Sequence, residues 1–304
     1  MSFDELVESF SESFLVTKEP NDTNRCHPLY NQFKNNSKTK DSLQEDRRKE
    51  FFENQKKNRN QIVMKFRALL EEVEMELSDD KCHENMDTSS DNISKECRKR
   101  RYYVNKYKNQ LMLSEWLVQI PQDFAIDWYL VLCPVGKRCL VISSRGQTKS
   151  YSRTGYVMAT FPSLLPGGNR RTTRGSNQNC LLDCIFSETE SVYYVLDVIS
   201  WNGSHFGDCD TEFRFFWLNS RLESECSQVK QKSQLNNYPF VVLRHCGCNE
   251  QEIVSTLQAP KQFAAEVDGL LFYHKRCHYT PGVTPLVNWL KPHMLSDVLK
   301  ININ

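Results

Sequence analysis

YLVLCPVGKR, Tyr129–Arg138, is the stretch on which the fold of this chain turns. It opens as an apolar run, Tyr129 to Cys133, and breaks at Pro134 and Gly136. It then presents Lys137 and Arg138 and continues into a second apolar run, Leu140–Ser143. Two β-rich runs joined through Pro and Gly predict strand, tight turn, strand. Two cations on such a turn are a simple way to hold a phosphate, and equally the tip of a solvated hairpin.

Outward from that stretch, residues 108–300 keep one texture. Aromatic and β-branched runs recur at Trp128–Cys133, Leu140–Ser143, Gly155–Phe161, Cys180–Phe186, Val192–Ser200, Phe213–Trp217, Pro239–Leu243 and Leu270–His274, with turn residues between them. Helical patterns are read at Leu111–Val118, Thr211–Ser224, Glu250–Leu257 and Pro285–Lys291. Many short strands with few helices predict an α+β domain of strongly bent, mainly antiparallel sheets. Ser163–Arg171, SLLPGGNRR, reads as a Gly-Gly hairpin with two arginines, suited to solvent or to phosphate. It is no Walker loop, which needs GxxxxGK[ST] ahead of a helix. Asp197 is expected to make a cap or turn contact. His274 is expected to be a hydrogen-bonded structural residue.

The N-terminal third has no core of its own. Residues 1–26 place Leu6, Phe10, Phe14 and Val16 near one helical face with acids between them. That pattern suits a capping helix or an export-type peptide laid in a partner's groove. Residues 27–75 open with His27-Pro28 and then run without Gly or Pro. Between Lys34 and Arg67 there are 11 Lys/Arg against 5 Asp/Glu, clustered as Arg47-Arg48-Lys49 and as Lys56-Lys57 with Arg59. Ser42 with Glu45 makes a capping box. Apolar residues are sparse until a stripe of Ile62, Phe66, Leu69, Leu70 and Val73. A helix polar nearly all round has little to fold against in its own chain. It is a solvated arm, an RNA-binding tail, or a helix that orders inside an acidic protein. Residues 76–107 carry an acidic run and then the basic CRKRR at 97–101, in the composition of a flexible linker.

Composition removes whole classes of function. With 39 Lys/Arg and 38 Asp/Glu the net charge is +1, so no global field recruits nucleic acid. The 12 cysteines include no CxxC pair, so neither a zinc site nor any other metal is expected. They are read as free thiols of a soluble protein in a reducing compartment. The acidic start MSFDELVESF has no basic n-region, and no apolar run approaches ~18 residues, so neither a signal peptide nor a membrane span is expected.

CPVGKR has the frame of the KxDGxR motif of mRNA capping enzymes and polynucleotide ligases, with Cys133 in place of the nucleophilic Lys and Val135 in place of the Asp. Asp268–Lys275, DGLLFYHK, is similar to that superfamily's [DE]G[LV] strand. NWLKP is similar to its final KWKP, with Asn288 in place of the first Lys. A lysyl-nucleotide has no lysine to form on. The closer likeness rests on NQLMLSEWL (109–117), VLCPVGKR (131–138), FPSLLPGGNRR (161–171), EVDGLLFYHK (266–275) and TPLVNWLKP (284–292). Together these resemble the snurportin family, import adaptors for spliceosomal small nuclear ribonucleoproteins (snRNPs).

That resemblance implies a non-enzymatic adaptor that shuttles between nucleus and cytoplasm and needs no cofactor. It implies importin β as partner of the 27–75 arm, through Arg47, Arg48, Lys49, Lys56, Lys57 and Arg59. It implies an exportin as partner of the 1–26 peptide. It further implies that residues 108–300 form a degenerate nucleotidyltransferase fold holding the trimethylguanosine cap of U snRNA. Trp289 would stack on the base, Ser114 and Trp116 would line the pocket, and Cys133 would form its floor. Gly136, Lys137 and Arg138 would be the turn beside the cap, and Arg153 would stand where the family has a Lys. Physical chemistry agrees. An N7-methylated base is cationic, so an indole gains ~1–2 kcal/mol of cation–π energy there. A doubly methylated exocyclic amine has no donor left, so the site should be apolar beside it and offer no carboxylate. The rival readings are an active covalent nucleotidyltransferase using Lys137, and a cap- or RNA-binding protein with a basic RNA tail.

Overall fold

The computed structural model describes residues 37–79, 107–171 and 178–301. The 1–26 peptide with Leu6, Phe10, Phe14 and Val16, the His27-Pro28 pair, and most of the 76–107 segment lie outside the described residues. Among the described residues no helix is long and apolar enough to cross a membrane.

The basic run forms one helix, α1 (Ser37–Asp79), uninterrupted because nothing in it breaks an i→i−4 ladder. It starts before the predicted capping box, so Ser42 and Glu45 fall inside it, and it runs past residue 75. The side chains of Ile62, Phe66, Leu69, Leu70 and Val73 are outside the described residues.

The remainder is α+β and mainly antiparallel, as predicted. One sheet runs β1 (Met112–Trp116), β12 (Gly282–Leu290), β11 (Val267–His274), β2 (Trp128–Pro134), β10 (His245–Gly247). The other runs β5 (Val157–Phe161), β4 (Gln147–Ser152), β3 (Lys137–Ser144), β6 (Asn179–Ser187), β7 (Val192–Trp201), β8 (Ser204–His205), with β9 (Phe240–Val242) beside β7. Tyr129–Arg138 is where the chain leaves the first sheet and enters the second. β2 and β3 are joined through Val135 and Gly136, and a Cβ on Gly136 would sit 2.6 Å from the Phe186 carbonyl oxygen. Only glycine lets the crossing pass so close.

Alternation along β3 explains why its run is apolar throughout. Leu140 and Ile142 pack with Val131, Cys133, Leu271 and Tyr273 between the two sheets. Cys139 and Val141 face the other way, onto a cluster with Phe161, Leu182 and Val195. That outer layer is closed by α3 (Thr211–Asn219), which supplies Leu218, and by the π-helical turn after it, which supplies Leu222. A strand buried on both faces has no polar side to show. Short α2 (Phe124–Asp127) leads into β2, and α4 (Glu250–Gln258) matches its predicted helix, with Asn249 accepting from the Glu252 amide as N-cap.

Three expectations fail and one segment is settled. Leu111–Val118 and Pro285–Lys291 are not helices; the first contains β1 and the second overlaps the end of β12, and these strands pair with each other in parallel. Each satisfies the other's backbone, which outweighs a weak local preference. Pro285 is tolerated because the register jumps from Ser114↔Thr284 to Glu115↔Asn288, so its missing N–H falls in a bulge. Phe213–Trp217, a strand-like run, is helical within α3. Asp197 makes no cap: it is fully buried and takes Arg214 Nε and Nη2, each at 2.9 Å. Burial disfavours the charge on Arg214, but Asp197 more than compensates and holds its pKa above the ordinary value.

Candidate functional site

A cavity of about 230 Å³ opens where the edge of the first sheet meets the second. Ser114 of β1, Cys133 at the end of β2, Gly136 in the crossing, Arg138 of β3 and Trp289 of β12 all line it. The chain thus brings together five of the eight residues expected at the pocket. Ile185, Leu196, Leu271, Pro134 and Asp268 complete the lining, and sequence reasoning missed them, because each looks like an ordinary core or turn residue. Trp116 is the registered partner of Trp289 on β1 but is not among the lining residues. Lys137 and Arg153 are also outside the lining. Lys137 is exposed and paired with Glu188 at 2.6 Å. Arg153 is exposed at the turn after β4, where its carbonyl accepts from the Asn109 amide.

Trp289 is half-buried, and its placement depends on one glycine. A Cβ on Gly269 of β11 would lie 2.2 Å from Trp289 Cζ2, so the indole lies directly over bare backbone. The Asp-Gly pair of DGLLFYHK is the signal that could have been read for this. Asp268, next to that glycine, binds Lys291 Nζ at 2.5 Å, and Lys291 lies 5.7 Å from the Trp289 ring centre. The carboxylate at the mouth is therefore engaged by a cation before any ligand arrives.

Arg138 lines the cavity with its charge already balanced. Its Nε and Nη2 donate to the two oxygens of buried Asp183 at 3.0 and 2.8 Å. Tyr279 donates to the same carboxylate at 2.8 Å and accepts from the Met112 amide at 3.1 Å. This network ties β3, β6 and the start of β1 together beneath the pocket. Burial opposes the charge on Arg138, yet Asp183 outweighs it and holds the pKa well above the usual value. Arg138 thus lines the cavity as expected, and a fork committed to a buried carboxylate is also a strut.

Cys133 is fully buried and its thiol is pushed up to about 12 by burial. A thiol so raised is not a nucleophile near neutrality. Asp123, Asp127 and His274 bring ligand atoms within 4.8 Å of one another, at the ends of β2 and β11 away from Cys133 and Gly269. There the Arg276 amide donates to His274 Nδ1, which places the imidazole proton on Nε2, facing Asp123 at 3.3 Å. Asp123 also accepts from the Trp128 indole at 3.1 Å and Asp127 lies 3.7 Å from Arg276, so His274 is the structural histidine predicted for it, its pKa lowered chiefly by burial.

Among known families, the model described as "Snurportin1, m3G cap-binding domain" matches residues 110–292, and that described as "Snurportin1" matches residues 27–68. Among solved structures, similarity is found to the ligase domain of LigD from M. tuberculosis, at 14% identity and a TM-score of 0.41, covering 60% of this chain and 58% of that one. Mycobacterial DNA ligase D complexed with ATP and MES is similar at 12% identity and a TM-score of 0.41, covering 60% of each chain. The chain therefore spans about three fifths of the ligase chains it is similar to.

Proposed function

Because the chain belongs to the snurportin family, shown by a match over residues 110–292, we propose that it is a nuclear import adaptor whose C-terminal domain holds the trimethylguanosine cap of U snRNA. The observation that carries this is the half-buried indole of Trp289 standing at the mouth of an apolar cavity. Ile185, Leu196 and Leu271 offer the apolar surroundings that added methyl groups want. The one carboxylate there, Asp268, already pairs with Lys291 and need not seek an amine donor. At about 230 Å³ the cavity is smaller than the ~300–1,000 Å³ that takes a drug-sized ligand, which suits one base with its phosphates left outside. A positive base on the indole gains ~1–2 kcal/mol from cation–π attraction, and methyl burial adds ~1–3 kcal/mol of selectivity.

Residues 27–75, with Arg47, Arg48, Lys49, Lys56, Lys57 and Arg59, would be the element that importin β wraps. Residues 1–26 would return the protein through an exportin, so that it shuttles between nucleus and cytoplasm, the 76–107 segment serving as linker. The protein would not be an enzyme: Cys133 stands where a covalent nucleotidyltransferase needs a lysine, and Lys137 lies outside the cavity, paired with Glu188.

Tryptophan fluorescence of the full chain, titrated with trimethylguanosine and monomethylguanosine cap dinucleotides, tests this. The trimethyl form should bind tighter, and Trp289→Ala should lose at least about tenfold, the value of one stacking contact. Equal affinity in the variant would overturn the stacking assignment.

A further inference from the structure

The basic helix was expected to have little to fold against in its own chain, yet it is docked. Gln44, Arg48 and Gln55 of α1 are buried against the C-terminal domain. The two glutamines act as clamps on exposed backbone. Gln44 donates to the Trp116 carbonyl at 3.0 Å and accepts from the Gln119 amide at 3.2 Å. Gln55 donates to the Arg276 carbonyl and accepts from the His278 amide, each at 2.9 Å. Between them Arg48 donates to the Gln119 carbonyl at 3.2 Å and to Asn288 Oδ1 at 3.0 Å, with its guanidinium 5.5 Å from the Trp128 ring. Phe52 packs edge-on against His274 at 4.6 Å.

Charge follows the same line. Arg47 pairs with Glu115 at 2.7 Å, and Arg59 with Asp208 at 3.0 Å. The contact face is mostly polar, with Phe51 and Phe52 as its apolar part, where a permanent core helix would be apolar throughout. Such bonds exchange with water at a net ~0.5–1.5 kcal/mol each, so the helix can leave without exposing a large apolar stripe. The Nε–H of Arg48 is buried without an acceptor among the described residues, so the fit is short of complete.

We propose that the face made by β1, α2 and the ends of β11 and β12 is a docking site for this chain's own basic helix. Docking there buries Arg48 and commits Arg47 and Arg59, though still exposed, to carboxylates of the domain, so an acidic partner must compete for all three. The proposal rests on the reading of α1 as the importin-β-binding element, and concerns how that element is made available. Lys49, Lys56 and Lys57 are exposed in the docked state, so a partner can touch the helix before displacing it. The apparent affinity of a partner for a helix that is mostly docked falls by the fraction undocked.

The test changes the domain side only, leaving the helix sequence intact: Glu115→Arg with Asp208→Arg, which set like charges against Arg47 and Arg59. Amide hydrogen exchange over residues 44–59 of the full chain should be slow in the parent and fast in the double variant. Equally fast exchange in the parent would overturn the docking. Importin β should bind the double variant about ten times more tightly than the parent, if about one chain in ten is undocked. Equal affinity for both, with the parent's helix protected, would overturn the masking. A separate peptide of residues 27–75 serves as reference. If importin β ignores that peptide too, the functional reading of the helix fails, while the exchange result still decides the docking.

Discussion

Asn288 and Trp289 are neighbours on β12 that serve opposite sides of the sheet. Asn288 Oδ1 accepts from Arg48 of the basic helix at 3.0 Å, while the indole of Trp289 lies over Gly269 and lines the cavity. The same division holds on the paired strand, where Glu115 meets Arg47 and Ser114 faces the cavity. Strand alternation makes this possible, since successive side chains leave by opposite faces.

Gly269→Ala should weaken cap binding more than it weakens the fold. The new methyl would overlap Trp289 Cζ2, and the half-buried indole is free to swing outward rather than force the backbone apart. Overpacking of this kind costs roughly 1–3 kcal/mol where the neighbour cannot move, and less where it can. Titration with the trimethyl cap should show at least a tenfold loss, with a urea midpoint close to the parent's. Unchanged cap affinity would show that the glycine does not seat the indole.

Arg138→Met should unfold the protein more easily than its place in a pocket suggests. It leaves the Asp183 carboxylate buried with only Tyr279 donating to it, and breaking a buried pair from one side costs ~3–5 kcal/mol. Lys137→Ala, one residue away, removes an exposed pair and should cost under about 1 kcal/mol. Chemical denaturation of the two variants side by side checks the contrast. Equal losses would mean Arg138 is not the strut described.

Mild acid should loosen the fold through its buried histidines. His205, His245, His274 and His278 are each held below their ordinary 6.5, chiefly by burial. As pH falls through that value the unfolded chain takes up protons that the folded one refuses. Their contribution is therefore complete above 6.5 and is lost progressively below it. The urea midpoint should drop between about pH 7.5 and about pH 5.5, and a flat profile would contradict it.

Incubation with labelled GTP should leave no label on the chain that survives denaturation at neutral or alkaline pH. The thiol at the old nucleophile position is raised to about 12, and no lysine lines the cavity. A labelled band lost in Cys133→Ser or Lys137→Ala would establish covalent chemistry instead.

The strand–turn–strand of Tyr129–Arg138 was legible because its Pro and Gly mark a turn that any such fold must make. The apolar runs that became β6, β7 and β11 were legible for a similar reason, since strands buried on both faces show in composition alone. β1 and β12 were not, because the partner of each lies at the far end of the domain, where no local window reaches. Cys133, Gly136, Arg138, Ser114 and Trp289 could be placed from motifs, but Arg138's partner could not. Asp183 sits in a run of core residues, and only the folded sheet sets it opposite the guanidinium. The docked helix was hidden most completely. Gln44, Arg48 and Gln55 follow a helical spacing, but in a polar helix that spacing reads as a wet face until the groove that receives it is seen.

The parallel pairing of β1 with β12 also fixes an order of events at the ribosome. β1 emerges early in the domain and waits with an open edge until nearly all of the domain has been made, because its partner is the last strand among the described residues. A nascent chain halted before Gly282 lacks the indole and leaves that edge bare. Bare edges recruit other chains, so early termination here should yield a sticky product for quality control to clear rather than a weakened version of the finished protein.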